Sequence, residues 1–504
     1  MTATTELATS PEDRAPLPRR PGLLLSLRRS WRTLVSMRTA LLLLFLLAVA
    51  AIPGSLLPQR TINPAAVGRW YDTHPSLAPV LDRLYAFDVY ASPWFAAIYL
   101  LLMVSLVGCL LPRWRLHVRA LRSRPPLPPA HLSRLPLYSS FTVPSASLDR
   151  VRLRGWRVRR EASGLGAERG YARETGNLLF HVALLGLLVG IAIGAAWGYK
   201  GDVLVVEGDT FVNTPAAYDT LTPGRLNSAD HLPPFEVTVD DFRATYLPSG
   251  QPASFAVDVR YTGGHHKTIK VNDPLTIRGN RVYLLDHGYA LHFVARRGGD
   301  VVYDQWQPFL PDPSASNLVS DGAVKITDLG GGLPDVGLRG RFVPTYARSG
   351  RTAFSASPEP LIPAFVYDAY AGDAGLGTGE PQSVYDLDTS RMVRTGQGTV
   401  FAGQSVDGLA GGVTLEFEGV KDFVVLHVTN DPGKRLVLVS AICALLGLIL
   451  SLRVRRRRLW VRLVPGDAGT LVEVGGLARQ DPAGYEPEFA RVVARLRATF
   501  EESP

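Results

Sequence analysis

Four uncharged apolar runs of bilayer-spanning length constrain this chain more than any other feature. They are Thr39 to Leu57, Pro93 to Leu111, Leu178 to Trp197 and Leu436 to Leu452. A helix needs about 20 apolar residues to cross the hydrocarbon core, and there every backbone polar group must be satisfied within the segment. Each run is therefore expected to be a transmembrane helix. Ser92 supplies a cap for the second, and Pro93 suits the first helical position, where a missing N–H is no loss. The first run lies well inside the chain and three more follow, so it does not read as a cleaved signal peptide.

Arginine placement orients the spans. Seven arginines, Arg14 to Arg38, precede the first run, and fourteen, Arg113 to Arg173, separate the second from the third against four acidic residues. Arg453 and Arg455 to Arg458 follow the fourth. The segment between the first two runs balances Arg60, Arg69 and Arg83 with Asp72, Asp82 and Asp88. The excess of positive charge in cytoplasmic loops predicts both termini and the 113–176 segment inside a plasma membrane, with 199–434 outside. That outer segment carries about 18 basic and about 28 acidic residues, although the whole chain is at +9. The basic balance is thus a property of one membrane face, and no nucleic-acid partner is expected.

The outer segment is long enough to bury its own core, and its pattern is strand-like. Phe235 to Tyr246 and Ser254 to Tyr261 alternate β-branched and aromatic residues with polar ones. Gly263 and Gly264 lead into His266 to Val271 as a hairpin, and Arg278 to Arg281 joins two further strands. Val413 to Val420 and Phe423 to Val428 close the segment. The expected fold class is an integral membrane protein with four transmembrane helices and a large, mostly antiparallel β extracytoplasmic domain. Leu310 to Gly398, rich in Gly, Pro, Ser and Asp, reads as long loops. The divisions are 1–36, a disordered cytoplasmic N-terminus; 37–112, helices 1 and 2 with a short outer loop; 113–176, an arginine-rich cytoplasmic loop; 177–198, helix 3; 199–434, the β-rich domain; 435–453, helix 4; and 454–504, a cytoplasmic tail with an amphipathic helix, Phe489 to Phe500.

Most catalytic templates fail. The sequence has no GxxxxGK[ST], GxSxG or HExxH motif. Its two cysteines, Cys109 and Cys443, form neither a Cys-x-x-Cys pair nor a Cys-x-x-Cys-His haem attachment motif, and both fall in apolar runs. Ten histidines remain, and of these only His181 lies inside a span. An ionisable side chain at that depth is costly and points to function. At about 100° per residue, Gly186, Gly190 and Gly194 lie roughly 140°, 180° and 220° from His181. The glycines form a ridge for close helix contact, and the imidazole points away from it. There it can ligate haem iron or make an interhelical hydrogen bond. His265, His266, His287, His292, His74 and His427 read as structural or solvated, and no catalytic residue is expected.

Taken in order, several segments resemble the ResB/CcsB family of c-type cytochrome biogenesis membrane proteins. They are Ile52 to Gln59 (IPGSLLPQ), Val89 to Phe95 (VYASPWF), Ser105 to Arg113 (SLVGCLLPR), Glu174 to His181 (ETGNLLFH), Val271 to Leu275 (VNDPL), His287 to Ala290 (HGYA) and Asp431 to Lys434 (DPGK). The resemblance runs from about residue 33 to about 462. It implies a non-autonomous subunit of a membrane cytochrome c synthase, working with a tryptophan-rich partner of the ResC/CcsA type. Together they would present haem b, as a transient substrate, for thioether attachment to apocytochrome c outside the membrane. His181 matches the family position implied as an axial ligand, which makes it the expected haem- and iron-binding residue. The chain has no outer cysteine, so thiol reduction is left to a thioredoxin-like pathway. The rival readings are a membrane-anchored envelope sensor or scaffold with a peptide-binding β-domain, and an oxidoreductase subunit using b-type haem.

Overall fold

In the computed structural model the four apolar runs form the helices Met37–Leu56, Pro93–Arg122, Ala172–Trp197 and Lys434–Arg453, each with a mean hydropathy of 2.3 or 2.4 over its most apolar stretch. The structure describes residues 23–501 except 163, 229–231, 248, 331, 351, 376–382, 468 and 479–480. Side chains such as Leu42 and Phe45 in the first of these helices are more than half exposed. Such a surface is stable in lipid, not in water. The chain is thus a membrane protein with four helices fit to span.

Local chemistry sets the helix ends. The Ser36 hydroxyl accepts from the Thr39 amide at 3.2 Å, and Ser92 accepts from Phe95 at 3.2 Å with Pro93 just inside. The second long helix runs to Arg122, past the end of its apolar run at Leu111. Pro112 does not stop it, and Arg119 and Arg122 in its last turn complement the helix dipole. At 30 residues it reaches about 45 Å, beyond the hydrocarbon thickness. The N-terminal stretch also differs from expectation. Leu23–Leu34 is helical, and residues 1–22 of the segment read as disordered lie outside the described residues.

The chain divides into two compact units, one ending at Val189 and resuming at Arg435, the other Gly190–Lys434. In the first unit, the 113–176 segment and the C-terminal tail build one domain. Strands Leu137–Val143, Gly469–Leu477, Arg457–Gly466, Gly164–Arg169 and Arg157–Glu161 form an antiparallel sheet in that order. Helix Glu486–Glu501 closes it, burying Phe489, Leu496 and Phe500 against Leu165, Val461 and Val474. The sequence reads these segments as a loop and a tail because each holds only part of the sheet. Between the first two long helices, helices Pro64–Thr73 and Ala78–Arg83 bury Val67, Ala78 and Phe87. Gln59, from the IPGSLLPQ segment, is buried and pairs with the Leu57 and Ala86 carbonyls and the Val89 amide.

After the end of the third long helix the second unit is built of antiparallel strand pairs, in an eleven-stranded sheet, a four-stranded sheet, Thr210–Val212 to His265–Lys270, and the short pair Tyr346–Ser349 and Thr352–Ser355. Its spine is the strand pair Asn280–Arg297 and Val413–Asn430. Bulges at Leu284/Asp286 and His292/Phe293 change which alternate residues face inward. One face of the pair therefore contributes Val282, Val424, Leu426 and Val428 to one core. The same face contributes Leu291, Phe293, Leu415 and Phe417 to the other. The 310–398 stretch read as loops instead holds strands Ser320–Ile326, Asp335–Val343, Ala364–Gly372 and Met392–Phe401. Gly322, Gly337, Gly340, Gly372, Gly396 and Gly398 lie within these strands, and a side chain on Gly340 would overlap the Val366 carbonyl of the neighbouring strand.

Candidate functional site

The third long helix carries His181 on the face opposite its glycines. Close contact occupies the glycine face. A Cβ on Gly176 would lie 2.7 Å from the Gly447 carbonyl oxygen, and one on Gly186 would overlap the Ser440 hydroxyl of the fourth long helix. Farther along, a Cβ on Gly433 would overlap the Gly190 carbonyl, and Asp431 caps that turn by accepting from the Gly433 amide at 2.8 Å. The wheel calculation is thereby met: the ridge packs on the fourth helix and on the DPGK segment leading into it.

His181 is half-buried, with the Phe180 ring edge-on at 5.3 Å. Its Nδ1 lies 2.7 Å from the Asn177 carbonyl oxygen. A carbonyl can only accept, so Nδ1 carries a proton, and the tautomer that leaves a lone pair is the one with it on Nε2. Among the described residues Nε2 has no hydrogen-bond partner. Metal-ligating histidines are commonly held by such a carbonyl on the far nitrogen, and the bond to the carbonyl four residues back serves a structural histidine equally.

Sequence reasoning passed over His117. It is buried near the end of the extended second helix, and its Nε2 is 3.0 Å from the Thr175 hydroxyl on the third. Only the helix extension past Leu111 brings it there. At the start of the third helix, Glu168 is buried among cations. Tyr171 and Arg458 donate to it, and Arg456 bridges it to Glu174, at 3.5 and 2.9 Å. Burial alone would raise the Glu168 pKa, but these donors outweigh it and hold the group below its ordinary value. Its stabilisation is complete above about pH 4.3, the unfolded range, and is lost as the pH falls through the lower folded value. Glu168→Gln is expected to cost about 3–5 kcal/mol, the range for breaking a buried ion pair, read as a lower thermal midpoint at pH 7.

Of the histidines in the second unit, His265 and His266 are exposed, and His427, His292 and His287 have structural contacts. His427 pairs with Asp202 at 2.6 Å. His292 stacks on Trp306 at 4.5 Å between Asp304 and Glu418. His287 is buried against Phe242 and Phe255, and its burial lowers its pKa. Beside it on the same strand-pair face stand Tyr289 and its cross-strand neighbour Asp422. Burial, with repulsion from Glu207 and Asp241, pushes the Asp422 carboxyl up to about 7. Between about pH 4 and 7 the folded chain holds a proton there that the unfolded chain has released, so stability falls as pH rises through that window. Each pH unit of displacement is worth about 1.4 kcal/mol. Asp422→Asn is therefore expected to stabilise the protein by ~2–4 kcal/mol at pH 8 and little at pH 4, measured as unfolding midpoints across that range. Among the described residues no group of three or more His, Cys, Asp or Glu is placed to hold a metal ion.

The fold defines a membrane protein with four helices fit to span, a histidine within the third of them, and a large β-rich segment between the third and the fourth. Residues 37–490 match the model of the ResB-like family, and the chain belongs to that family. It is 26% identical over 485 residues to a cytochrome c biogenesis protein CcsB of Synechococcus sp. (strain JA-3-3Ab), covering 94% of this chain and 91% of the relative. It is 27% identical to the protein of the same name from Synechococcus sp. (strain CC9311), covering 94% and 98%. The Prochlorococcus marinus (strain MIT 9303) protein of that name is 24% identical, covering 94% and 99%. The family match extends past residue 462 into the C-terminal helix, so it spans the sheet built from the 113–176 segment and the tail.

Proposed function

We propose that this chain is the haem-holding subunit of a membrane cytochrome c synthase. Its place in c-type cytochrome assembly follows from the family and from the names of relatives aligned over nearly their whole length. The observation that carries the finer reading is the His181 tautomer: Nδ1 proton on Asn177, Nε2 lone pair outward at lipid depth. A neutral imidazole so held is suited to the iron of haem b, which is cargo here and not a resident cofactor. Attachment adds each cysteine S–H of apocytochrome c across a haem vinyl group, forming a thioether without net redox change. A ResC/CcsA-type tryptophan-rich partner would complete the site, and a thioredoxin-like pathway would keep the acceptor thiols reduced.

The proposed topology places both termini and the 113–176 segment in the cytoplasm, with 199–434 outside. Arginine distribution supports it. So does the pairing of Gly164–Arg169 with Arg457–Gly466, which puts the segment before the third helix and the segment after the fourth in one sheet. Cysteine-accessibility labelling tests this, using single cysteines at Gly396 and Ala490 in a background with Cys109 and Cys443 replaced by serine. An impermeant maleimide applied to intact cells should label the first and not the second; the reverse pattern would invert the topology.

A further inference from the structure

We propose that an arginine-lined cavity beneath the C-terminal helix binds a free porphyrin dicarboxylate, haem before it enters the membrane, through its two acid groups. This rests on the haem-handling reading above and gives the same cargo a second place on the chain. The cavity measures about 740 Å³, within the usual range of small-molecule sites. One wall is a face of helix Glu486–Glu501, and the other is the segment 151–156 before strand Arg157–Glu161.

Its charge is one-sided. Arg152, Arg154, Arg169, Arg491 and Arg495 line it against one carboxylate, Glu488, which is already shared by Arg169 and Arg457. Among the described residues Arg152, Arg154 and Arg495 make no ion pair. A second cavity of about 330 Å³ shares Arg169 and adds Arg453, Arg455 and Arg457 at the end of the fourth long helix. Guanidiniums thus continue from that helix end to the C-terminal helix. Burial lowers the pKa values of Arg169 and Arg457, and Arg169 adds to the effect on Arg457. An anion would relieve that crowding.

The cavity is also apolar in part. Leu153, Trp156, Val492 and Leu496 line it between the charges, and the Arg169 guanidinium lies 4.9 Å over the Trp156 ring. A phospholipid headgroup calls only for the cations. Apolar side chains among guanidiniums match a flat, largely apolar tetrapyrrole carrying acids along one edge. Among the described residues the lining has no His, Cys, Met or Tyr to ligate iron, so the ligand would be held by its carboxylates and by packing, which suits capture followed by release.

Iron-free protoporphyrin IX isolates this site, because it offers no metal to His181. The full chain, in nanodiscs of zwitterionic lipid, is titrated with it and binding is read by porphyrin fluorescence. Saturable binding is expected. It should weaken by about tenfold or more in the triple variant Arg152→Gln, Arg154→Gln, Arg495→Gln, and equally for the porphyrin dimethyl ester, since charge-assisted contacts are the strong ones. It should be unchanged in His181→Ala. Equal binding of the ester, full binding by the triple variant, or loss of binding in His181→Ala overturns the proposal. Displacement of porphyrin by added phosphatidylglycerol also overturns it and assigns the cavity to a lipid headgroup. None of these outcomes bears on iron ligation by His181, which is read separately from the haem spectrum.

Discussion

Cells whose only copy of this protein carries His181→Ala are expected to lose c-type cytochromes by about a hundredfold, while the variant accumulates in the membrane at the normal level. The magnitude follows from the ligand role: removing even an outer-shell partner of a metal-bound histidine costs about 10–100-fold, and here the ligand itself goes. The fold should survive. The ring is half-buried, its one hydrogen bond stays within its own helix turn, and the opposite face carries the packing. Added imidazole offers a control that a structural role does not share, because it can fill the vacated place and ligate iron. Partial recovery of cytochrome c with imidazole in His181→Gly is expected. Normal cytochrome levels in His181→Ala would favour the envelope sensor or scaffold reading.

The second large effect is on folding. Gly176 and Gly447 face each other where the third and fourth long helices cross. A Cβ on Gly447 would lie 2.6 Å from the Phe180 amide nitrogen and 2.7 Å from the Gly176 carbonyl. Both are backbone atoms and cannot rotate away, so the helices must separate. Gly447→Val is expected to destabilise by about 3 kcal/mol or more, at or above the upper end for overpacking. The displaced residue adjoins His181, so haem retention should fall with stability. Gly396→Ala is the control, since its Cβ would meet nothing within 4 Å. Thermal midpoints of the detergent-extracted variants measure both, and equal midpoints for Gly447→Val and the native chain would refute close packing at this crossing.

The spans were legible because lipid leaves a chain few options. Uncharged runs of about 20 residues must be helices there, and Ser92-Pro93 marks its own start. The direction of His181 was legible for the same reason, since glycine spacing on a regular helix fixes the angle between two faces. Its tautomer was not, because it depends on a backbone carbonyl one turn away. The sheet of the first unit was invisible because its strands come from two segments about three hundred residues apart, and neither half shows a buried face alone. The strands within 310–398 were hidden by glycines, which in composition signal turns; some lie in turns, but Gly340 and Gly372 let neighbouring strands approach. The seam at His287, Tyr289 and Asp422 depends on two bulges that shift alternation by one residue, and no periodicity count reveals a bulge.

Absorption and electron paramagnetic resonance spectra of the haem-loaded complex with its membrane partner, compared between the native chain and His181→Ala, test the central claim most directly. Nitrogen ligation through Nε2 predicts that the substitution removes the imidazole hyperfine signature and shifts the Soret band, and that imidazole restores both. Identical spectra from the two proteins, at equal haem content, would contradict it.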